Sequence, residues 1–528
     1  MTINKKLVAI LSTIFLSVSI TACSKQNEAL HQDEKILSQG TTKNKENNTS
    51  KENADIKENT QKGNDIKNST ELEDKTKTQT GTDIETKTET NTEIVKQFHN
   101  IVYINASKLR VRKEPTTTSK IITELPRGTK VNVIAEKSDA KKTKWLNITL
   151  EDKVNDADSI ETGWVSSEYI VDNLSDLTRD DFSDLDFTAQ NKVAEYKDNP
   201  RVQVKGIYVS AYSAASHIDD FIVLSKKTGI NAFVIDVKGD IGNMLFPTKA
   251  AEEYSPQANK RAVIKDINAF MKKLKDNNIY AIARIVSFKD PLYIKAHPDR
   301  AIVYKKNGRP FCNADGLMWA TGYDRQLWKY NVEVAKEAAE VGFNEIQFDY
   351  VRFPASNGGK MDKLLDYRNT GKESKAKAIQ EYLKYAYSQL SKKHVYIAAD
   401  VYGLVGSVND DMGLGQYWEG ISNVVDYICP MMYPSHYGKG SYGLNIPDAH
   451  PYETVYHCTK DSVNKNNSIP TPAIVRPWIQ DFTASWVRGH IHYGEREVKA
   501  QIKALKDNGV NEFLLWNASN KYNISSVK

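Results

Sequence analysis

Glu345-Ile346-Gln347-Phe348-Asp349-Tyr350-Val351-Arg352-Phe353-Pro354 reads as a short apolar strand whose far end carries a carboxylate and an arginine and is halted by a proline. A buried strand with a charged tip is how a (β/α)8 barrel delivers chemical groups to its C-terminal face. In such a strand alternate residues face the lumen and the surrounding helices. Ile346 and Phe348 suit the helix layer, which sends Gln347 and Asp349 inward and leaves Asp349 near the strand's C-terminal end.

The same texture repeats on both sides. Apolar strands are predicted at 204–212, 232–237, 280–286, 345–353, 395–401, 427–433, 471–479 and 512–516. Helical patterns separate most of them, at 218–227, 264–276, 326–341, 376–391, 452–464 and 495–507; between the fifth and sixth strands the only candidate is 418–423. Strands almost all followed by helices fit a parallel (β/α)8 TIM barrel, an α/β fold, over residues 201–528 better than an open doubly wound sheet. No glycine-rich phosphate loop follows the first strand, which counts against a nucleotide-binding fold.

On the fifth strand Ala398-Ala399-Asp400 places Asp400 at the height of Asp349. Neighbouring strands lie about 4.8 Å apart, so the two carboxylates should share a cavity. Carboxylates separated by roughly 5 to 9 Å are what glycosidic bond cleavage requires, one attacking carbon or activating water and the other protonating the leaving oxygen. The structural alternative is that each aspartate pairs with Arg352, Arg284 or Lys238. Asp349 is the expected nucleophile or base, Asp400 the general acid, and Glu419, after the fifth strand, the reserve acid. A nearby Asp349 charge would raise the Asp400 pKa in the direction an acid needs. Asp236 and Lys238 end the second strand on one face, where they either pair or point at sugar hydroxyls. Arg284 on the third strand either neutralises Asp236 or holds a charged substrate group. Tyr433, His436 and Tyr437 follow the sixth strand, Trp478 lies on the seventh and Trp516 on the eighth. Aromatic planes stack on the apolar faces of sugars, whereas Gln480, Asp481 and Asn517 suit hydroxyls; a single such aromatic would more simply be core.

Scattered histidines, with His490 and His492 the closest pair and no carboxylate at ligand spacing, point to no metal or other cofactor. There is no GxSxG motif and no cysteine beside a base, so acyl-enzyme chemistry is not indicated. The net charge of +5 over 528 residues, from 72 basic and 67 acidic residues, gives no case for nucleic acid.

The N-terminus has a different character. Lys5 and Lys6 precede an apolar run from Leu7 to Ile20, as in a secretory signal. Ile20-Thr21-Ala22-Cys23 is similar to the lipobox of bacterial lipoproteins, which implies a signal over residues 1–22, lipidation of Cys23 and anchoring on the outer face of the cell membrane. The alternatives are an ordinary cleaved signal or an uncleaved anchor. Of the 4 cysteines, Cys312, Cys429 and Cys458 show no paired spacing, and Cys429 reads as core. Residues 23–97 are polar and contain no Phe, Trp or Tyr, so they should be a disordered tether. A chain of about 70 residues spans roughly 50 Å root-mean-square.

Short strands punctuated by Pro115, Pro126 and Gly128 then indicate a small all-β unit at 98–173, followed by an Asp-rich connector at 174–200. Leu109-Arg110-Val111-Arg112, Leu125-x-x-Gly128-x-x-Val131 and Gly163-Trp164-Val165 resemble the bacterial SH3 (SH3b) family, with an acidic insertion at 151–158 as a departure. That resemblance implies binding of a cell-wall peptide or glycan, peptidoglycan included; the alternative is a passive spacer. In the barrel, Ala283-Arg284-Ile285-Val286-Ser287-Phe288-Lys289-Asp290-Pro291, the 342–354 segment, Pro430-Met431-Met432-Tyr433-Pro434-Ser435-His436-Tyr437 and Arg476-Pro477-Trp478-Ile479-Gln480-Asp481-Phe482 resemble the glycoside-hydrolase-like family called domain of unknown function 4015. The resemblance implies a TIM barrel and glycosidase activity, and adds Arg476 to the candidate substrate contacts. Gly239, where an acid beside Asp240 is expected, and Met318-Trp319-Ala320-Thr321, where a Trp-x-x-Pro is more usual, bear on specificity. The expectation is a membrane-anchored glycoside hydrolase acting on a wall or surface polysaccharide. The rival is a non-catalytic polysaccharide-binding lipoprotein.

Overall fold

The computed structural model describes residues 100–525, apart from 107, 127, 140–141, 155–159, 173–181 and 468. The signal at 1–22, Cys23 and the polar stretch to residue 97 lie outside the described residues.

The first unit is an SH3-like antiparallel sheet of β1 (Asn100–Ile104), β2 (Lys108–Arg112), β3 (Ile121–Pro126), β4 (Lys130–Ser138), β5 (Lys144–Val154), β6 (Ile160–Ser166) and β7 (Ile170–Val171). Their spatial order is β3-β2-β6-β5-β4-β1-β7. Period-two alternation builds its core: Val131 and Val133 of β4 are buried while Lys130 is exposed, and they join Val102, Val111, Ile148 and Val165. Gly163 has no room for a side chain, because a Cβ there would meet Val111 Cγ1 at 2.4 Å. On either side of 155–159, Val154 of β5 pairs with Ile160 of β6.

Strands β8 (Lys205–Val209), β9 (Ala232–Lys238), β10 (Tyr280–Val286), β11 (Val303–Tyr304), β12 (Glu345–Asp349), β13 (Leu365–Asp366), β14 (Tyr396–Tyr402), β15 (Tyr427–Met431), β16 (Ile474–Val475), β17 (Trp478–Gln480) and β18 (Phe513–Trp516) follow. All but β11 and β13 form one parallel sheet, which the β14–β15 and β18–β8 pairings close into a barrel of eight strand positions. Every residue of β9 and β10 is buried, as parallel strands covered on both faces require. The surrounding helices present apolar stripes: the helix Arg325–Glu340 buries Leu327, Asn331, Val334, Ala335 and Ala338, and Asp324 caps it by accepting from Gln326 N.

Several predicted elements differ in extent, and three of them show a local cause. The fourth strand stops at Asp349 because Tyr350 takes φ +48° and turns the chain out of the sheet. The seventh is split into β16 and β17 around Arg476-Pro477, since proline has no N–H for the ladder. The first helix starts earlier, at Ala211, where Ser210 accepts from Ser213 N, and it kinks at His217. The short helix between the fifth and sixth strands is present at Trp418–Ser422.

From residue 182 the connector is bound to the barrel. Phe182 stacks on Tyr417 at 4.0 Å, and Lys192 Nζ donates to the carbonyls of Ser422 and Val425. Tyr196 joins the apolar cluster that fills the lumen. At the other end of the strands β11 and β13 pair antiparallel and tie two loops of the C-terminal face together. No helix among the described residues is long and apolar enough to cross a membrane.

Candidate active site

The C-terminal half of the lumen is polar. Phe348 pairs with Ala399, so Asp349 and Asp400 follow one another at the same level on adjacent strands. Arg284 reaches across from β10: its Nε and one terminal nitrogen donate to Asp349 Oδ2 at 3.0 and 2.6 Å. Its other terminal nitrogen donates to Asp236 Oδ1 at 2.5 Å, and the terminal nitrogen on Asp349 also donates to Asp240 Oδ1 at 3.1 Å. Lys289 bonds the far oxygen of Asp240 at 3.0 Å. The Tyr208 hydroxyl donates to Asp236 Oδ2 at 2.6 Å. The pairing of Asp349 with Arg284 and of Arg284 with Asp236, both expected as alternatives, therefore occurs in one network. Gly242, at φ +85°, lets the Asp240 turn close on Asp290, whose Oδ1 would lie 2.0 Å from a Cβ. A side chain at Gly239 would meet Asn243 Oδ1 at 2.7 Å, which accounts for glycine there.

Asp400 has a different environment. It is 1 % exposed, and its described partner is the indole N–H of Trp478, at 2.7 Å. Burial, reinforced by the neighbouring Asp349 charge, pushes its pKa well above the usual carboxylate range despite the Trp478 bond. Burial also raises Asp236, which Arg284 and Tyr208 only partly offset. Burial pushes Asp240 up as well, but Arg284 and Lys289 outweigh it and hold this carboxyl below the ordinary range. Directly after Asp349, Tyr350 sits in the left-handed region, where a bulky side chain costs energy, and its N–H donates to Asp349 Oδ1 at 2.6 Å. That turn fixes the carboxylate's second oxygen.

The aromatic residues divide by role. Trp516 is half-buried, 4.3 Å from Tyr208 and 5.6 Å from Trp478 in an edge-on contact. Trp478 itself is buried and positions Asp400. Tyr433 is buried beside the pair, its proton retained through burial and then the charges of Asp400 and Asp349. His436 is exposed and its Nδ1 lies 3.0 Å from Ser435 Oγ. Arg352 is half-buried, 5.0 Å from the Trp319 ring and 5.2 Å from Tyr350, with its described hydrogen bond going to Phe353 O. Trp319, in the segment lacking the usual proline, thus supports this arginine.

Four sequence-predicted residues lie elsewhere. Lys238 does not share the lumenal face of Asp236: a bulge between β9 and β10 makes Ile285 pair with Lys238, and one extra residue reverses the side chain's direction. Its Nζ is buried against Asp290, Asn331 and the Val286 carbonyl. Arg476 is fully buried near the strand starts, bonded to Glu345 at 2.7 Å and Glu512 at 2.8 Å, which makes it part of the barrel floor. Gln480 is buried, its amide engaged by Asp448, Ser435 N and Phe482 O. Glu419 is on the short helix Trp418–Ser422; one of its oxygens is buried without a hydrogen-bond partner, and no described bond ties it to either aspartate. Asp481 and Asn517 are likewise engaged, with Asn523 and Lys521. Tyr208 was the residue missed. Its position next to last in Val204-Lys205-Gly206-Ile207-Tyr208-Val209, on the inward parity, was the available signal. Among the described residues no group of three or more potential ligands could hold a metal ion.

Similar solved structures include a hypothetical protein from Ruminiclostridium thermocellum, 32% identical over 39% of this chain and 98% of its own, with TM-score 0.33. The glycoside hydrolase domain of PgaB (BpsB) from Bordetella bronchiseptica is 12% identical, covers 60% of this chain and 94% of its own, and has TM-score 0.42. That of PelA from Pseudomonas aeruginosa is 9% identical over 61% and 98%, with TM-score 0.35. Among curated proteins none matches the chain significantly. A model described as "Bacterial SH3 domain" matches residues 107–171, and one described as "Putative glycosyl hydrolase domain" matches residues 206–522. With the greater part of its length inside that second match, the chain belongs to the glycosyl hydrolase-like family that the model defines, its barrel preceded by a bacterial SH3 domain.

Proposed function

We propose that the barrel is a glycoside hydrolase acting on a cell-wall or surface polysaccharide. The observation that carries the reading is the contrast between two carboxyl groups on adjacent strands at the C-terminal end of the lumen. Asp349 is clamped by a guanidinium, and Asp400 is driven toward its protonated form. Paired titratable groups whose environments separate their proton affinities are the arrangement that glycosidic cleavage uses. Asp349 acts as nucleophile or as the base for water, and Asp400 donates its proton to the leaving oxygen. Trp478 orients Asp400, Arg284 orients Asp349, and the exposed edges of Trp516 and His436 meet the sugar. The SH3 unit holds the enzyme to wall material. On the sequence pattern at 20–23 the chain is anchored by lipid at Cys23 on the outer face of the membrane, with residues 23–97 as tether.

The test is reducing-end release from purified wall and capsule polysaccharides by the wild-type chain and by Asp349→Asn. Release that vanishes in the variant with binding retained supports the enzyme. A binding protein is the second reading, favoured by the fact that Asp349 is already engaged by Arg284 and Asp400 is almost inaccessible; it predicts binding by both forms and release by neither.

A further inference from the structure

Trp486 is 60 % exposed, an unusual place for an indole in a barrel whose Trp319, Trp418 and Trp478 are all buried. Its exposure is built, since the segment 481–494 around it is tightly fastened. Ala484 is fully buried. Tyr493 N donates to Thr483 Oγ1 at 3.0 Å, the Tyr493 hydroxyl to Asp448 O at 2.9 Å, and Ile491 N to Asp448 Oδ2 at 3.3 Å. The same Asp448 accepts from Gln480, the last residue of β17 before the segment begins.

The indole stacks on Phe482, with ring centres 5.9 Å apart and planes 19° from parallel. Phe482 in turn meets Tyr433 edge-on at 5.9 Å, and Tyr433 is buried close enough to Asp400 and Asp349 to feel both charges. Aromatic rings therefore run from Tyr433, near the carboxylates, through Phe482 to the exposed Trp486. Phe482 stacks on Trp486, and with 60 % of the residue exposed much of the indole faces solvent.

We infer that Trp486 is the platform of a distal glycan subsite, so that the substrate is a polysaccharide chain gripped several sugars from the scissile bond and not a small glycoside. This rests on the glycan reading of the cleft given above. A protein partner fits the surface poorly. The neighbours Ser485, Arg488 and His490 are polar and exposed, whereas a stable protein interface needs roughly 800 Å² on each side with an apolar core. A pyranose chain needs only an open aromatic face with hydroxyl partners around it.

The test compares the full chain with Trp486→Ala, Trp486→Phe and Asp349→Asn. The probes are peptide-free peptidoglycan glycan strands and capsule polysaccharides, each intact and as mono- and disaccharide fragments. For the chain that wild type binds, Trp486→Ala should weaken binding of the intact polymer by about tenfold, the worth of one covered aromatic face. It should leave binding of the short fragments unchanged, and Trp486→Phe should recover most of the loss. Equal binding of the intact polymer by wild type and Trp486→Ala overturns the subsite, as does a loss that is the same for short fragments. If the length-dependent loss is found but wild type releases no reducing ends, the subsite stands and the hydrolase reading falls. If wild type binds no glycan, both fall.

Discussion

Replacing Arg284 by methionine removes the cation that neutralises the floor of the cleft. Arg284 is 2 % exposed and meets Asp236, Asp349 and Asp240 at 2.5, 2.6 and 3.1 Å. Asp240 keeps Lys289. Asp236 keeps only the Tyr208 hydroxyl, and Asp349 keeps the Tyr350 N–H. Two buried carboxylates would then face each other without a counter-charge, a situation that costs about 3–5 kcal/mol when one partner of a buried pair is deleted. The assay is denaturant unfolding followed by tryptophan emission, since Trp319, Trp328, Trp418, Trp478, Trp486 and Trp516 of the chain's 8 tryptophans lie in the barrel. Sign matters here. Without the guanidinium both carboxyls take raised folded-state pKa values, so their cost is present at neutral pH and fades as pH falls toward about 4. The deficit should therefore shrink on acidification, and Asp236→Asn in the Arg284→Met background should recover part of it at pH 7. A deficit under about 1 kcal/mol at neutral pH, or one that grows on acidification, would refute the reasoning.

Three further outcomes are expected. Asp400→Asn should gain stability relative to wild type as pH rises, because a carboxyl with a raised folded-state pKa loses its stabilising proton on the alkaline side; thermal melts at pH 5 and pH 9 check this, and an opposite trend sinks it. Trp478→Phe removes the one described bond that favours ionised Asp400, so the alkaline limb of any hydrolytic pH profile should move to higher pH while the acid limb stays in place. Gly242→Ala should destabilise the barrel by more than about 2 kcal/mol, through its left-handed φ and the clash with Asp290, as read from its melting midpoint; a neutral effect would show that the turn can move away from Asp290.

Much of the barrel was legible because its strands carry a local signal: Ala232–Lys238 and Tyr280–Val286 are apolar along their whole length, and the helices between strands keep a 3.6-residue stripe. The inward placement of Gln347 and Asp349 followed from period two alone. The same rule failed at Lys238, because a single-residue bulge is a property of the register with β10 and leaves no mark in β9 itself. Arg476 failed for another reason. Its motif is conspicuous in sequence, but whether a strand residue sits at the floor or the mouth depends on where Pro477 breaks the ladder and which carboxylates lie across the lumen.

The sequence by itself determined the kinds of units present, the order of strands and helices, and the face on which Asp349 and Asp400 lie, since propensity and periodicity act over a few neighbouring residues. Tertiary structure alone decided what those groups meet. Arg284 bridges Asp236, Asp240 and Asp349, Trp478 holds Asp400 from a strand 78 residues away, and Phe482 carries an aromatic line outward to Trp486. Charge, burial and hydrogen bonding act through space, and the closure of the barrel sets which distant residues become neighbours.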